Sequence, residues 1–277
     1  MRAGGDSSDR PAGLPAGDWP LALARRLVGF SAVPIRIGRS AATVLRFDKP
    51  GAASRYLKYG FAGLARSLAG EAERLAWMHA RGLPVPTVET LIEQDGRTFL
   101  LLAAVEGFNA AECAQPPAAV VETLAAGLRL LHGLDAQGCP FEAPAASEIE
   151  HACRRLAAGL VDERDFDAAH AGWSGTDLFH ELVATRPAAE DLVFTHGDYC
   201  LPNVILRGPT LGGSLLAGFV DVGRAGVADR HRDLALAARS IAYNLGDAWV
   251  APFFAAYGLA EPDPAKLAFY RLLDEFF

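Results

Sequence analysis

The chain reads as an α+β protein of two lobes, with a small antiparallel-sheet N-lobe over residues 17–105 and a larger, mainly helical C-lobe over 106–277. Three observations carry that reading. Strand-like runs broken by turn residues crowd the segment from Val33 to Val105. Apolar stripes at helical spacing dominate the C-terminal two thirds. The change of character falls at Val105-Glu106-Gly107, with no low-complexity linker beside it.

Taken in order, residues 1–16 hold no apolar run and are expected to form a flexible tail. Leu23, Leu27 and Phe30 recur at helical spacing and predict a short helix over 19–30. Strands are expected at Val33–Ile37, Thr43–Phe47 and Arg55–Tyr59, with turns at Gly38-Arg39-Ser40 and Lys49-Pro50-Gly51 between them. Leu68, Ala72, Leu75 and Met78 place a helix over 66–80, stopped by Gly82 and Pro84. Asp95-Gly96 then predicts a tight hairpin between Val88–Glu93 and Thr98–Val105. Beyond it, Val120, Leu124, Leu128 and Leu131 mark a helical stripe. Further helices are expected at 148–160, 174–184, 231–245, 248–257 and 265–275, interrupted by β-rich runs at Leu192–Thr195, Val204–Arg207 and Leu215–Val220.

Composition narrows the function classes. The 277 residues carry 26 Lys+Arg against 33 Asp+Glu, a formal net charge of -7, so no broad basic surface is available for a nucleic-acid backbone. With 51% hydrophobic residues the chain has ample material for a core, yet no run reaches the roughly 18 apolar residues of a membrane span. The expectation is therefore a cytoplasmic protein with neither a nucleic-acid nor a membrane partner; it is also expected to act as a monomer. Its four cysteines show no C-x-x-C pair and no His at zinc spacing, which fits incidental thiols in a reducing compartment.

The chemistry concentrates in Thr195-His196-Gly197-Asp198-Tyr199-Cys200-Leu201-Pro202-Asn203 and in Phe219-Val220-Asp221-Val222-Gly223. Phosphoryl transfer from ATP needs a carboxylate to hold the attacking hydroxyl and hard oxygen ligands for Mg²⁺. Asp198 suits the first role, and Asn203 and Asp221 the second. The order H-x-D-x-x-x-x-N, then D-x-G, matches kinase catalytic and metal loops. A single Asp in such a loop is commonly a turn residue, so the weight lies in the matched set. The same reading requires a Lys on the third N-lobe strand and a Glu on the next helix; Lys58 and Glu71 stand there. A Glu facing inward is costly unless paired, which favours Lys58 over a local pair with Arg74. No G-x-G-x-x-G occurs; Gly38 to Thr43 supplies small residues and the Ser40 hydroxyl instead. His196 is expected to brace the catalytic loop rather than transfer protons.

Thr195–Asn203, Gly218–Arg224, Gly226-Val227-Ala228-Asp229-Arg230 and the final run from Phe269 to Phe277 resemble the aminoglycoside 3′-phosphotransferases, the kanamycin and neomycin kinases. The resemblance spans residues 18–277. It implies a bilobal protein-kinase-like fold, ATP (with GTP possible), Mg²⁺, and transfer of the γ-phosphate to a sugar hydroxyl of a cationic aminoglycoside. It further implies that Tyr56 stacks on adenine, that the connector from Ala103 to Val105 offers backbone groups to the adenine edge, and that Ser40 touches the β-phosphate. Arg224 is expected to organise the metal loop and the substrate side.

A polycationic substrate needs carboxylates. Asp274, Glu275 and the terminal carboxylate of Phe277 crowd a helix C-terminus, where the macrodipole opposes negative charge by about 0.3–1 kcal/mol each, an expense that points to a cationic partner. By the resemblance, Asp165 and Asp167 fall at contact positions of a substrate-binding loop, and Arg239 precedes a further substrate-binding stretch. There the chain departs from the family: Tyr243 and Asn244 replace two acidic residues, and Ala168 replaces a Glu. Two other readings stay open, a kinase of the same fold acting on another hydroxylated amine or sugar, and a non-catalytic nucleotide-binding module.

Overall fold

The computed structural model describes residues 19–35, 42–61, 65–208 and 215–277. The expected tail and Ser40 lie outside the described residues. The chain divides into two units, Met1–Gly107 with Ala217–Gly223, and Phe108–Leu216 with Arg224–Phe277.

The first unit holds an antiparallel sheet in the order β1-β2-β3-β5-β4, from β1 (Ser31–Ile35), β2 (Thr43–Asp48), β3 (Arg55–Phe61), β4 (Val88–Gln94) and β5 (Arg97–Ala103). Alternation along β3 sends Leu57 to one face and Tyr56 and Lys58 to the other. Leu57 joins Leu45, Phe47, Phe99 and Leu101 in a core sealed by Leu23, Leu27 and Phe30. The opening helix, α1 (Leu21–Arg26), is shorter than the apolar spacing predicts, because Gly29 turns left-handed at φ 78° and delivers Phe30 to this core. Lys58 pairs across the sheet with Leu100 and Tyr56 with Leu102, so these four share a face. The Asp95-Gly96 turn closes its hairpin with both residues at positive φ, 50° and 69°, and register Gln94↔Arg97.

Helix α2 (Ala65–Ala80) buries a stripe of Leu68, Leu75 and Met78 that also carries Glu71, which is only 5% exposed. It ends where Gly82 adopts φ 74° and Leu83 N–H donates to Met78 O at 3.1 Å. The segment Ala217–Gly223 belongs with this unit although its sequence neighbours do not. Phe219 N–H donates to Pro84 O at 2.9 Å. A Cβ on Gly218 would lie 2.3 Å from that same oxygen, so only glycine permits the approach.

The second unit begins at residue 108, close to the expected boundary, and is mainly helical: α3 (Pro117–His132), α4 (Ala145–Ala157), α5 (Gly175–Ala184), α6 (His231–Leu245), α7 (Val250–Tyr257) and α8 (Pro264–Asp274). Its strands β6 (Phe108–Asn109) and β8 (Val204–Leu206) pair antiparallel, as do β7 (Leu192–Thr195) and β9 (Gly226–Asp229). Four helices bury Ala152, Leu178, Ala235, Phe269, Leu273 and Phe276 against one another. Ser174 and Asp177 form a reciprocal capping box that starts α5, and Asp263 caps α8 ahead of Pro264. Helix α4 begins three residues before the apolar stripe predicts. Its Ala145 N–H is capped at 2.9 Å by Glu190 Oε2, a partner far along the chain. It also ends earlier, where Gly159 takes φ 65°. Among the described residues no helix is long and apolar enough to cross a membrane.

Candidate active site

In the first unit, Lys58 Nζ donates to Glu71 Oε1 at 2.6 Å and to Asp221 Oδ1 at 2.9 Å. Strand alternation, the helix stripe and the Pro84 contact of the 217–223 segment bring these three together. The expected Lys58–Glu71 pairing is thus present. Arg74 Nη1 donates to Gly70 O at 3.0 Å, and its charge also reaches Glu71. Burial opposes the Lys58 charge, but the Glu71 and Asp221 carboxylates outweigh it and raise the Lys58 pKa. Asp221 adopts φ 60°, a left-handed conformation that costs a non-glycine residue energy and concentrates at functional loops. Tyr56 stands two residues before Lys58 on the same strand face. In the connector, Ala103 N–H donates to Thr87 O and Ala104 N–H to Ser54 O. The Ala103 amide is therefore engaged within the fold, whereas Val105 donates to no protein group among the described residues.

In the second unit, the loop after β7 is held from several sides. Asn203 Nδ2 donates to Asp198 Oδ2 at 2.9 Å and to Asp198 O at 3.0 Å, closing the loop on itself. The Asn203 oxygen is left without a protein donor among the described residues. Gly197 adopts φ 84°, and a Cβ there would fall 2.1 Å from Arg224 O, so the position preceding Asp198 admits only glycine. Fully buried His196 accepts the Asp198 amide on Nδ1 at 3.3 Å, which is a bracing role.

The residue that sequence reasoning missed here is Asp233, in the first turn of α6. It is 0% exposed and accepts His196 N–H at 2.7 Å and Gly197 N–H at 2.8 Å. Burial alone would raise its pKa; the His132 hydrogen bond, neighbouring imidazoles and the loop amides hold it below the usual carboxylate range. Its position on a helix three residues past Arg230 gave no local signal of this clamp.

The remaining predicted residues, Asp165 apart, gather around the end of α8. Arg224 Nη1 donates to Asp274 Oδ1 at 2.8 Å, and its guanidinium lies 4.5 Å from the Phe277 ring centre. Arg239 also pairs with Asp274 and stands 3.9 Å from Asp167 Oδ2. Although burial opposes its charge, the two arginines lower the Asp274 pKa. Glu275 accepts the Asp167 amide at 3.0 Å and faces His170 Nδ1 at 3.3 Å. Burial raises the Glu275 pKa against those bonds. The helix-end penalty expected of Asp274 is therefore offset by the chain's own arginines rather than left for a partner, whereas at Glu275 burial outweighs the bonds it accepts. Asp165 sits on an exposed turn of 3₁₀ helix, Glu163–Asp165. Tyr243 is 89% exposed, and Asn244 folds back to donate to Ser240 O at 2.7 Å.

A charged Lys held by a helix Glu, a strained Asp beside it, and an Asp–Asn catalytic loop are the parts that phosphoryl transfer requires. The fold and these residues define a kinase-like small-molecule phosphotransferase. A model of the phosphotransferase enzyme family matches residues 31–270. The aminoglycoside 3′-phosphotransferase of Streptomyces fradiae is 45% identical over 219 residues, 77% of this chain and 81% of that protein. A solved type VIII aminoglycoside-3′-phosphotransferase superposes with a TM-score of 0.83 at 40% identity, over 92% of this chain and 97% of that one. An aminoglycoside phosphotransferase of Streptomyces rimosus, solved with ADP and streptomycin, gives a TM-score of 0.76 at 28% identity, over 88% and 92% of the two chains. The chain belongs to the aminoglycoside 3′-phosphotransferase family.

Proposed function

We propose that this chain transfers the γ-phosphate of ATP to the 3′-hydroxyl of aminoglycosides, with Asp198 orienting the hydroxyl and accepting its proton. As a member of its family it is an ATP-dependent phosphotransferase of aminoglycosides; the acceptor position is the finer reading. The observation that carries it is the Asp198 loop, closed by Asn203 and anchored by Asp233. The Streptomyces rimosus relative, solved with ADP and streptomycin, supports both a nucleotide and an aminoglycoside here.

In a loose transition state Asp198 needs only to position the hydroxyl and take its proton late, so rate comes from orientation and charge neutralisation. Asn203 fixes the carboxylate in one rotamer. Lys58, kept charged by Glu71 and Asp221, neutralises phosphate oxygens. Tyr56 and the Val105 amide suit the faces and edge of adenine, and GTP would meet the same groups. Asn203 and Asp221 would hold Mg²⁺: hard oxygens in a set of one or two protein ligands fit that ion, which keeps several waters. When bound, Mg²⁺ supplies further neutralisation of the phosphates. One chain carries every residue used, so a monomer suffices, and four cysteines without a disulfide fit a reducing cytoplasm.

The exposed Tyr243 and the turned-back Asn244 favour a second reading, in which the same machinery serves another hydroxylated amine. Steady-state ADP release with kanamycin, and with tobramycin, which lacks the 3′-hydroxyl, separates the two. Turnover with kanamycin alone is expected. Turnover with both would overturn the 3′ position, and turnover with neither would hand the site to another substrate.

A further inference from the structure

Behind Asp233 lies a chain of hydrogen bonds that ends in a separate cavity. Asp233 Oδ2, which accepts the His196 amide, also faces His132 Nε2 at 3.2 Å. His132 Nδ1 lies 2.8 Å from the Tyr257 hydroxyl, and Arg230 Nη1 donates to that hydroxyl at 3.0 Å. Arg230 is itself held by Asp191 through Nε and Nη2, at 2.6 and 3.0 Å. A guanidinium can only donate, so the Tyr257 oxygen accepts from Arg230. An ionised carboxylate can only accept, so His132 Nε2 carries a proton and donates to Asp233. Both ring nitrogens of His132 are thus engaged, one by Asp233 and the other by the Tyr257 hydroxyl. The imidazole itself is only 3% exposed.

We propose that His132 is a positioning residue for phosphoryl transfer: with Tyr257 and Arg230 behind it, it locks the Asp233 carboxylate in the rotamer that clamps the His196 and Gly197 amides. The clamp has work to do at this place. Gly197 has no side chain to restrain it and sits at φ 84°, directly before Asp198. Without the His132 bond, Asp233 is free to rotate and to release one of the two amides. Asp198 then loses its fixed approach to the acceptor hydroxyl, although its own bonds to Asn203 survive. Arg230, Tyr257 and His132 line a cavity of about 700 Å³ that none of the residues assigned above to nucleotide, metal or substrate lines. The outer end of the chain is therefore reachable by small solutes.

The inference rests on the kinase reading of Asp198, and the test has one arm that does not. In His132→Ala, amide hydrogen exchange at His196 and Gly197 should accelerate about tenfold as the clamp loosens. For the same variant kcat should fall about tenfold to a hundredfold, with KM for kanamycin and for ATP within about twofold, because orientation is lost and binding is not. His132→Gln, whose side-chain N–H reaches the place of Nε2, should recover most of kcat and of the protection. Added imidazole, entering through the cavity, should partly restore His132→Ala. Should His132→Ala fail to fold, Tyr257→Phe removes only the hydroxyl and should lower kcat severalfold at unchanged KM. Unchanged exchange at His196 and Gly197 in a folded variant overturns the inference, as does a Gln variant no better than Ala. If the parent enzyme does not turn over kanamycin, the substrate reading fails, and the exchange arm still decides the wiring.

Discussion

Replacing Lys58 by Met removes the ammonium, keeps a side chain of similar length, and leaves Glu71 buried with a second carboxylate nearby. The ion pair is short, 2.6 Å, and the Lys58 and Glu71 side chains are 14% and 6% exposed. Breaking such a pair from one side costs about 3–5 kcal/mol, because the surviving charge stays desolvated. Glu71 can escape by taking a proton. In the variant its folded pKa stands above its unfolded value, so the penalty is full at high pH and fades as pH falls toward that raised value. Lys58→Met/Glu71→Leu removes both charges and should recover stability to within about 1–2 kcal/mol of the parent, since apolar replacement of a buried pair is close to neutral. Activity should not return, because no cation is left for the phosphates. A chain of two units need not unfold in one step, so the readout is hydrogen exchange in β3 and α2 rather than a melting midpoint. ADP release is measured in parallel. A loss below about 1 kcal/mol in Lys58→Met, or no recovery in the double variant, would refute the argument that this pair ties α2 to β3.

Three further outcomes are expected. Asp198→Asn keeps the size of the side chain and its contact with Asn203 while removing the base; kcat should fall by about a hundredfold or more with thermal stability unchanged, and retained turnover would exclude Asp198 as the base. Gly197→Ala meets Arg224 O at 2.1 Å and a left-handed φ, so it should destabilise the second unit by at least about 1–3 kcal/mol; urea denaturation that matches the parent would contradict the backbone described here. Asp229, Asp233 and Asp274 all have pKa values below the ordinary 3.8, each against a burial that pushes the other way. Their stabilisation is thus complete above about pH 4 and is lost as pH falls through the lowered values, whereas Glu275, raised above 4.5, contributes fully below that pH and less above it. Urea midpoints at pH 7, 5 and 3 should show a steep loss only at the acid end, and a flat profile would remove the three aspartates as acid-sensitive anchors.

Features that depend on neighbouring residues could be read along the chain. Strand alternation placed Tyr56 and Lys58 on one face, a helical stripe placed Glu71 beside Leu68 and Leu75, Asp95-Gly96 dictated its own turn, and the order of Asp198, Asn203 and Asp221 marked the loops that carry the chemistry. Partners remote in sequence were chosen by packing. Asp233 meets Gly197 from 36 residues away. His132 meets Asp233 across 101 residues, and Asp274 is neutralised by Arg224 across 50. Helix α4 starts where Glu190 caps it, 45 residues from Ala145. Periodicity and turn preference are properties of a few adjacent φ/ψ pairs, so local sequence is enough to set them. A buried carboxylate shows its purpose only once packing has chosen which donors share its low-dielectric site, because there an unpaired charge is costly and a paired one holds its neighbours in place.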